Sequence, residues 1–151
     1  AAILPLTARA PEPGGIGYHM GFPAGEPMVV RSELIGAADA RRGMADSAEP
    51  VLVWAERSRQ PERDGTLSGI SGGPTLAEDG HVVGVNSAST DRRGRVLTTD
   101  PAAVMRLVDA SRAVDDRAQA RPIAGLPDAD RQFRQWLDSG VIRRAFCDVD
   151  D

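Results

Sequence analysis

Residues 69–74 read Gly-Ile-Ser-Gly-Gly-Pro, a serine set among glycines and closed by a proline. Glycine has no Cβ, so such a chain can turn sharply and pass close to a ligand. A turn of this kind can aim the amides of Gly69 and Ser71 at one point. Two converging N–H donors stabilise the oxyanion of a tetrahedral acyl-transfer intermediate, usually the largest single catalytic effect. The neighbourhood narrows the fold. Upstream, Arg63-Asp64-Gly65-Thr66-Leu67-Ser68 is polar and reads as a loop. Downstream, Pro74-Thr75-Leu76-Ala77 leads into Glu78-Asp79-Gly80 and then His81-Val82-Val83-Gly84-Val85. Asp-Gly between two β-prone runs predicts a hairpin. Ser71 therefore sits on a turn that opens a β-hairpin.

Gly69-Ile70-Ser71-Gly72-Gly73 also satisfies Gly-x-Ser-x-Gly, the nucleophile elbow of α/β-hydrolases. That elbow needs a strand before the serine and a helix after it, and neither is legible here. The competing bland reading is a glycine-serine loop with no chemistry. The full hexapeptide resembles the Gly-x-Ser-Gly-Gly-Pro signature of trypsin-like (chymotrypsin-fold) serine proteases, nearest to their bacterial, HtrA-like branch. Val82-Val83-Gly84-Val85-Asn86-Ser87 is similar to the strand that follows the nucleophile in that family. Gly21-Phe22-Pro23-Ala24-Gly25 followed by Met28-Val29-Val30 resembles a segment early in its second barrel. The likeness runs from about Ile16 to Ala110. It implies a mostly β fold: the antiparallel Greek-key β-barrel that is the second of the double barrel, followed by C-terminal α-helices. It also implies serine endopeptidase activity through an acyl-enzyme on Ser71. The oxyanion hole would include the Gly69 amide, and Gly65, Ser87, Ala88 and Ser89 would contact substrate.

The family's triad runs His, Asp, Ser along the chain. Only the serine has a counterpart here. Ala2-Ile3-Leu4-Pro5-Leu6 fits the later part of the family's Asp-x-Ala-Leu-Leu-x-Leu motif, which would put the Asp just before Ala1. The resemblance thus implies an N-terminal protease half, from the same precursor or a separate chain, carrying His and Asp. A half-structure of this kind is expected to expose a strand edge. The chain's own histidines are His19, in a strand-like run, and His81, just past the Asp-Gly turn. Each is expected to be a surface or half-buried strand residue rather than a base for Ser71, because a base needs hydrogen-bond reach to the nucleophile. The alternative function is a non-catalytic peptide-binding or assembly module. In zymogen-activated relatives the residue before the nucleophile is an Asp that pairs with a new N-terminus. Ile70 cannot make that pair, so the 57–68 loop must be ordered by packing, substrate or a partner. With glycine at position 65 the specificity pocket is expected to be small-lined and uncharged. Asp64 could contribute charge only if the loop register slipped, and it reads instead as part of an Asp-Gly turn.

Composition is compatible with one domain's worth of core: 41% of the 151 residues are hydrophobic, and 16 Gly with 11 Pro suit a loop-rich β architecture. A net charge of −4 with no basic tract gives no sign of nucleic-acid binding. No apolar run approaches a membrane span. A single cysteine, Cys147, excludes an internal disulfide and fits a reducing, cytoplasmic setting. No Cys/His spacing suggests a metal, and no cofactor is expected. Asp100-Pro101 predicts a helix start, with Val104, Leu107 and Val108 as its apolar stripe. A second helix is predicted from Asp128 to Ser139, stopped by Gly140, with Phe133, Trp136 and Leu137 on the apolar face. That face either packs on the barrel or docks another domain. The chain thus divides into a barrel with its closing helix (1–112), a linker (113–127) that includes Asp115-Asp116, and a helical extension (128–151) ending in Asp148-Val149-Asp150-Asp151.

Overall fold

The computed structural model describes residues 4–41, 47–89, 94–111 and 119–145. Cys147, the acidic end and the Asp115-Asp116 pair lie outside the described residues. The strands are β1 (Ile16–Gly21), β2 (Met28–Ala40), β3 (Glu49–Gln60), β4 (Pro74–Ala77), β5 (Val82–Ser89) and β6 (Arg95–Thr99). They close into an antiparallel barrel in the order β1-β2-β3-β6-β5-β4. After β3 the chain crosses the barrel to β4, which pairs with β1, and returns through β5 to β6 beside β3, which is the Greek-key arrangement. β1 pairs with β4 through Gly17↔Ala77 and His19↔Thr75. That closure removes the long free edge expected of a half-structure.

The hairpin predicted around Asp79-Gly80 is present, with Pro74 opposite Val85 and Thr75 opposite Gly84. Helix α1 (Pro101–Ser111) begins where Asp100-Pro101 signals it, and the Asp100 carboxylate accepts from the Ala103 amide at 3.3 Å. Its stripe is only partly covered: Leu107 is 73% exposed, while Val104 and Val108 are half-buried. Helix α2 (Leu126–Ser139) starts two residues before the predicted Asp128. Its N-cap, Gly125, has no side chain. Asp128 supplies the missing acceptor, taking the Ala124 amide at 3.0 Å and the Gln132 side-chain amide at 2.9 Å. Gly140 stops the helix in the left-handed region, as its position predicts.

Two apolar clusters lie on the two faces of the barrel wall. Inside are Met28, Val30, Leu34, Leu52, Trp54, Leu67, Ile70, Val83 and Val96. Trp54 fills the interior because β1 leaves room for it. A Cβ on Gly17 would sit 2.6 Å from the Trp54 ring. Outside, Tyr18, Met20, Val29, Leu76 and Val82 meet Ile123, Ala129 and Phe133. The apolar face of α2 therefore packs on the barrel, with Trp136 and Leu137 at its margin. Leu4 and Leu6 join the same layer, and Leu6 bridges to Val82.

Candidate functional site

Ser71 lies exposed at the centre of a turn whose two flanks are fixed. On one side the Phe22 amide donates to the Gly69 carbonyl at 3.1 Å. On the other, Asn86 brackets the turn: its carbonyl accepts from the Gly72 amide and its amide donates to the Gly73 carbonyl, both at 2.8 Å. Between these anchors Ile70 drops into the barrel core and is 1% exposed. Ile70 also packs against β1, where a Cβ on Gly21 would lie 2.7 Å from the Ile70 Cα.

The glycines are there for space as well as for turning. Gly69 has φ +100, and a Cβ there would lie 2.4 Å from the Phe22 carbonyl oxygen. A Cβ on Gly73 would overlap the Met20 carbonyl oxygen outright. Among the described residues, the amides of Gly69 and Ser71 donate to no other group. Gly69 and Ser71 are both exposed residues.

Neither histidine serves Ser71. His19 is fully buried, unlike the surface or half-buried strand residue expected from the sequence. It points into the barrel from β1, edge-on to Trp54 with the rings 5.3 Å apart. Its Nδ1 lies 2.8 Å from Asn86 Oδ1 and 2.7 Å from Thr75 Oγ1, and its Nε2 contacts Ser32 Oγ. Asn86 Nδ2 donates to the Met20 carbonyl, which fixes the amide orientation and leaves Oδ1 to accept the proton of His19 Nδ1. Nε2 then accepts from Ser32, and the ring is neutral. Burial without a counter-charge pushes its pKa down to about 4. His81 sits beside the hairpin turn, its Nδ1 3.2 Å from Asp79 Oδ2. The four-residue strand β4 separates it from the serine turn.

The residues expected to contact substrate divide into two groups. Gly65 and Ser89 share a groove of about 980 Å³ that also takes in Arg57, Arg59, Asp64 and Arg95. Its walls are charged, unlike the small uncharged lining expected. Ser87 and Ala88 do not line it. They continue β5 past Val85, the last residue opposite β4, while Ala88 and Ser89 pair with β6. Among the described residues, the backbone of 87–89 therefore has no partner on the side away from β6. Among the described residues, no group of His, Cys, Asp or Glu side chains is placed to hold a metal ion. No helix among them is long and apolar enough to cross a membrane.

The sequence did not flag the arginines behind the loop. Arg59 is paired with Glu56 at 2.6 Å, and its Nη1 donates to the carbonyls of Arg63 and Gly65 at 3.0 and 3.1 Å. Nor did it flag Asn86 as the residue joining the buried network to the turn.

Solved structures share this architecture. The chain superposes on the active form of the Rv3671c protease from M. tuberculosis with a TM-score of 0.57 at 17% identity, over 80% of this chain and 50% of that one. The inactive form of the same protease gives 0.56 at 18% identity, over 71% and 54%. The fold is that of a chymotrypsin-like barrel. The murine norovirus NS6 protease matches it at a TM-score of 0.50 and 20% identity, over 66% of this chain and 56% of that one. The chain spans about half the length of the protease structures it matches. No protein-family model and no curated protein matches the sequence.

Proposed function

We propose that this chymotrypsin-like barrel carries the nucleophile of a serine endopeptidase. The observation that carries the reading is the exposed Ser71 on a doubly anchored turn, flanked by the unpartnered amides of Gly69 and Ser71. Those amides are the donors an oxyanion hole needs. The unpaired backbone of Ser87, Ala88 and Ser89 offers an extended peptide a strand to pair with, beside the serine. Gly65 and Ser89 open the groove that would receive its side chain.

In the reaction, Ser71 Oγ attacks the scissile carbonyl and passes its proton to a histidine. That proton goes to the departing amine as the acyl-enzyme forms, and water then releases the acid. The histidine, and the aspartate that orients it, come from outside this chain, since His19 and His81 are both directed elsewhere. An N-terminal protease half, joined or separate, is the partner this requires. The same two histidines favour a second reading, a peptide-binding or assembly module that keeps the turn without the chemistry.

Fluorophosphonate labelling read by intact mass decides between them. The chain alone should label weakly. With the half bearing His and Asp added, labelling at Ser71 should rise at least a thousandfold and vanish in Ser71→Ala, in line with the dependence of such serines on their base. Unchanged labelling in the assembled protein would leave the binding module.

A further inference from the structure

We propose that Arg59, Glu56 and Arg63 form a brace that orders the 61–68 loop, and with it the Gly69–Ser71 turn, without any newly cut chain end. The catalytic consequence rests on the protease reading above. The brace itself does not.

The loop has little else to hold it. Pro61, Glu62, Asp64, Gly65 and Thr66 are exposed, and only Leu67 inserts into the core. Backbone ordering of such a segment is entropically costly and needs a specific source of contacts. Arg59 supplies it from the rigid end of β3. One edge of its guanidinium is held by Glu56, and these two side chains are only 16% and 14% exposed, so solvent screens the pair weakly. The Glu56 backbone is held in place, its amide donating to the Gly94 carbonyl at 2.8 Å. The remaining nitrogen, Nη1, reaches two carbonyls of the loop, those of Arg63 and Gly65. Arg63 then extends the chain of contacts, donating through Nη2 to the Pro23 carbonyl at 3.0 Å.

Pro23 adjoins Phe22, whose amide holds the Gly69 carbonyl. The brace and the serine turn thus share one platform, the β1–β2 connection. A lysine at position 59 would keep the charge against Glu56. It could not span the carboxylate and two carbonyls, because that takes a planar fork. Arg59 and Arg63 are positioning residues, acting through the loop and not on substrate.

The test is amide hydrogen exchange on the intact chain, comparing wild type with Arg59→Met, Arg59→Lys and Arg63→Met. Protection at Phe22 and Ile70, whose amides donate to Gly69 and Leu67, should fall at least tenfold in both Arg59 variants. Ladder amides of β3 and β6 should be unchanged. Arg63→Met keeps the Glu56 pair and should loosen Phe22 alone, so it carries the test if Arg59→Met does not fold. In the protease assembled with its His- and Asp-bearing half, Arg59→Lys should lower kcat by roughly tenfold to a hundredfold, the order expected for small misplacement of a reacting group, and leave KM within about threefold. Full protection in Arg59→Met, or full rescue of protection by lysine, overturns the brace. Loosened amides in an assembly that never cleaves peptide leave the brace standing and end the protease reading.

Discussion

The two faces of the barrel wall are packed on different terms. The inner face has no room to spare: Gly17 and Gly21 exist so that Trp54 and Ile70 can lie against β1. It is also partly polar, with His19, Ser32, Thr75 and Asn86 all buried and bonded to one another. The outer face is an ordinary apolar contact between strands and a helix, centred on Phe133. The inner face is tied to the serine turn through Ile70 and Asn86. The outer face is tied to the turn's platform, since Phe133 meets Phe22 edge-on at 5.8 Å and Arg144 covers the Phe22 ring at 5.0 Å. The inner face thus holds the turn directly, and the outer face reaches it only through Phe22.

Truncation of each centre should separate the two most widely. Trp54→Ala should cost about 4 kcal/mol, the range for deleting a large buried ring. It should melt the barrel as a whole, because the cavity opens between β1 and β6, where the ring meets Gly17 and Thr98. Phe133→Ala should cost about 3 kcal/mol and release α2 first, seen as early exposure of Trp136 in urea-dependent fluorescence. Simultaneous loss of both clusters in the Phe133 variant would break the contrast.

Acid should probe the inner face alone. His19 holds a pKa of about 4 in the folded chain, below the ~6.5 of a free histidine. Above that ordinary value neither state binds a proton and stability is complete. As pH falls from there towards 4, the unfolded chain takes up a proton that the folded one refuses, so stability drops. The loss is at most about 1.4 kcal/mol per pH unit, or about 3 kcal/mol across the window. Urea melts of wild type and His19→Gln at pH 7, 5.5 and 4.5 should show this excess acid sensitivity only in wild type. Equal slopes would mean that the ring does not stay neutral.

The smallest effect belongs to the outer face. Asp128 is held below the usual carboxylate range by the Ala124 amide and, in lesser degree, by Gln132 and nearby arginines. Its contribution is present above that range and fades as pH falls through its lowered pKa. Asp128→Ala should cost about 1 kcal/mol, as the loss of a helix cap does, measured as a shift in the midpoint of α2 unfolding and none in the barrel.

Much of the fold was legible because it depends on local chemistry. Asp79-Gly80 dictates its turn, Asp100-Pro101 starts α1, and Gly140 ends α2. The serine turn was legible too, since its glycines are demanded by carbonyls a few ångströms away. Burial of His19 was not, because a lone histidine in a strand does not show which face of the barrel it occupies. Its partners come from three other strands, so no spacing could reveal them. Leu107 misled for the opposite reason: a helical stripe gives the side that prefers cover, and among the described elements α1 packs chiefly on β5. The charged groove escaped notice because it joins β3, the loop and β5 across the fold. Arg59 carried no signal of its own, since beyond Glu56 its partners are backbone carbonyls.

Ile70 seats the serine turn from inside the barrel. Ile70 holds it by filling volume, where an ion pair would hold it by charge. An ion pair can be created at a chosen moment by cutting a chain or shifting a proton. A packed isoleucine is in place as soon as the barrel closes, and salt cannot screen it. The turn is therefore timed by folding itself.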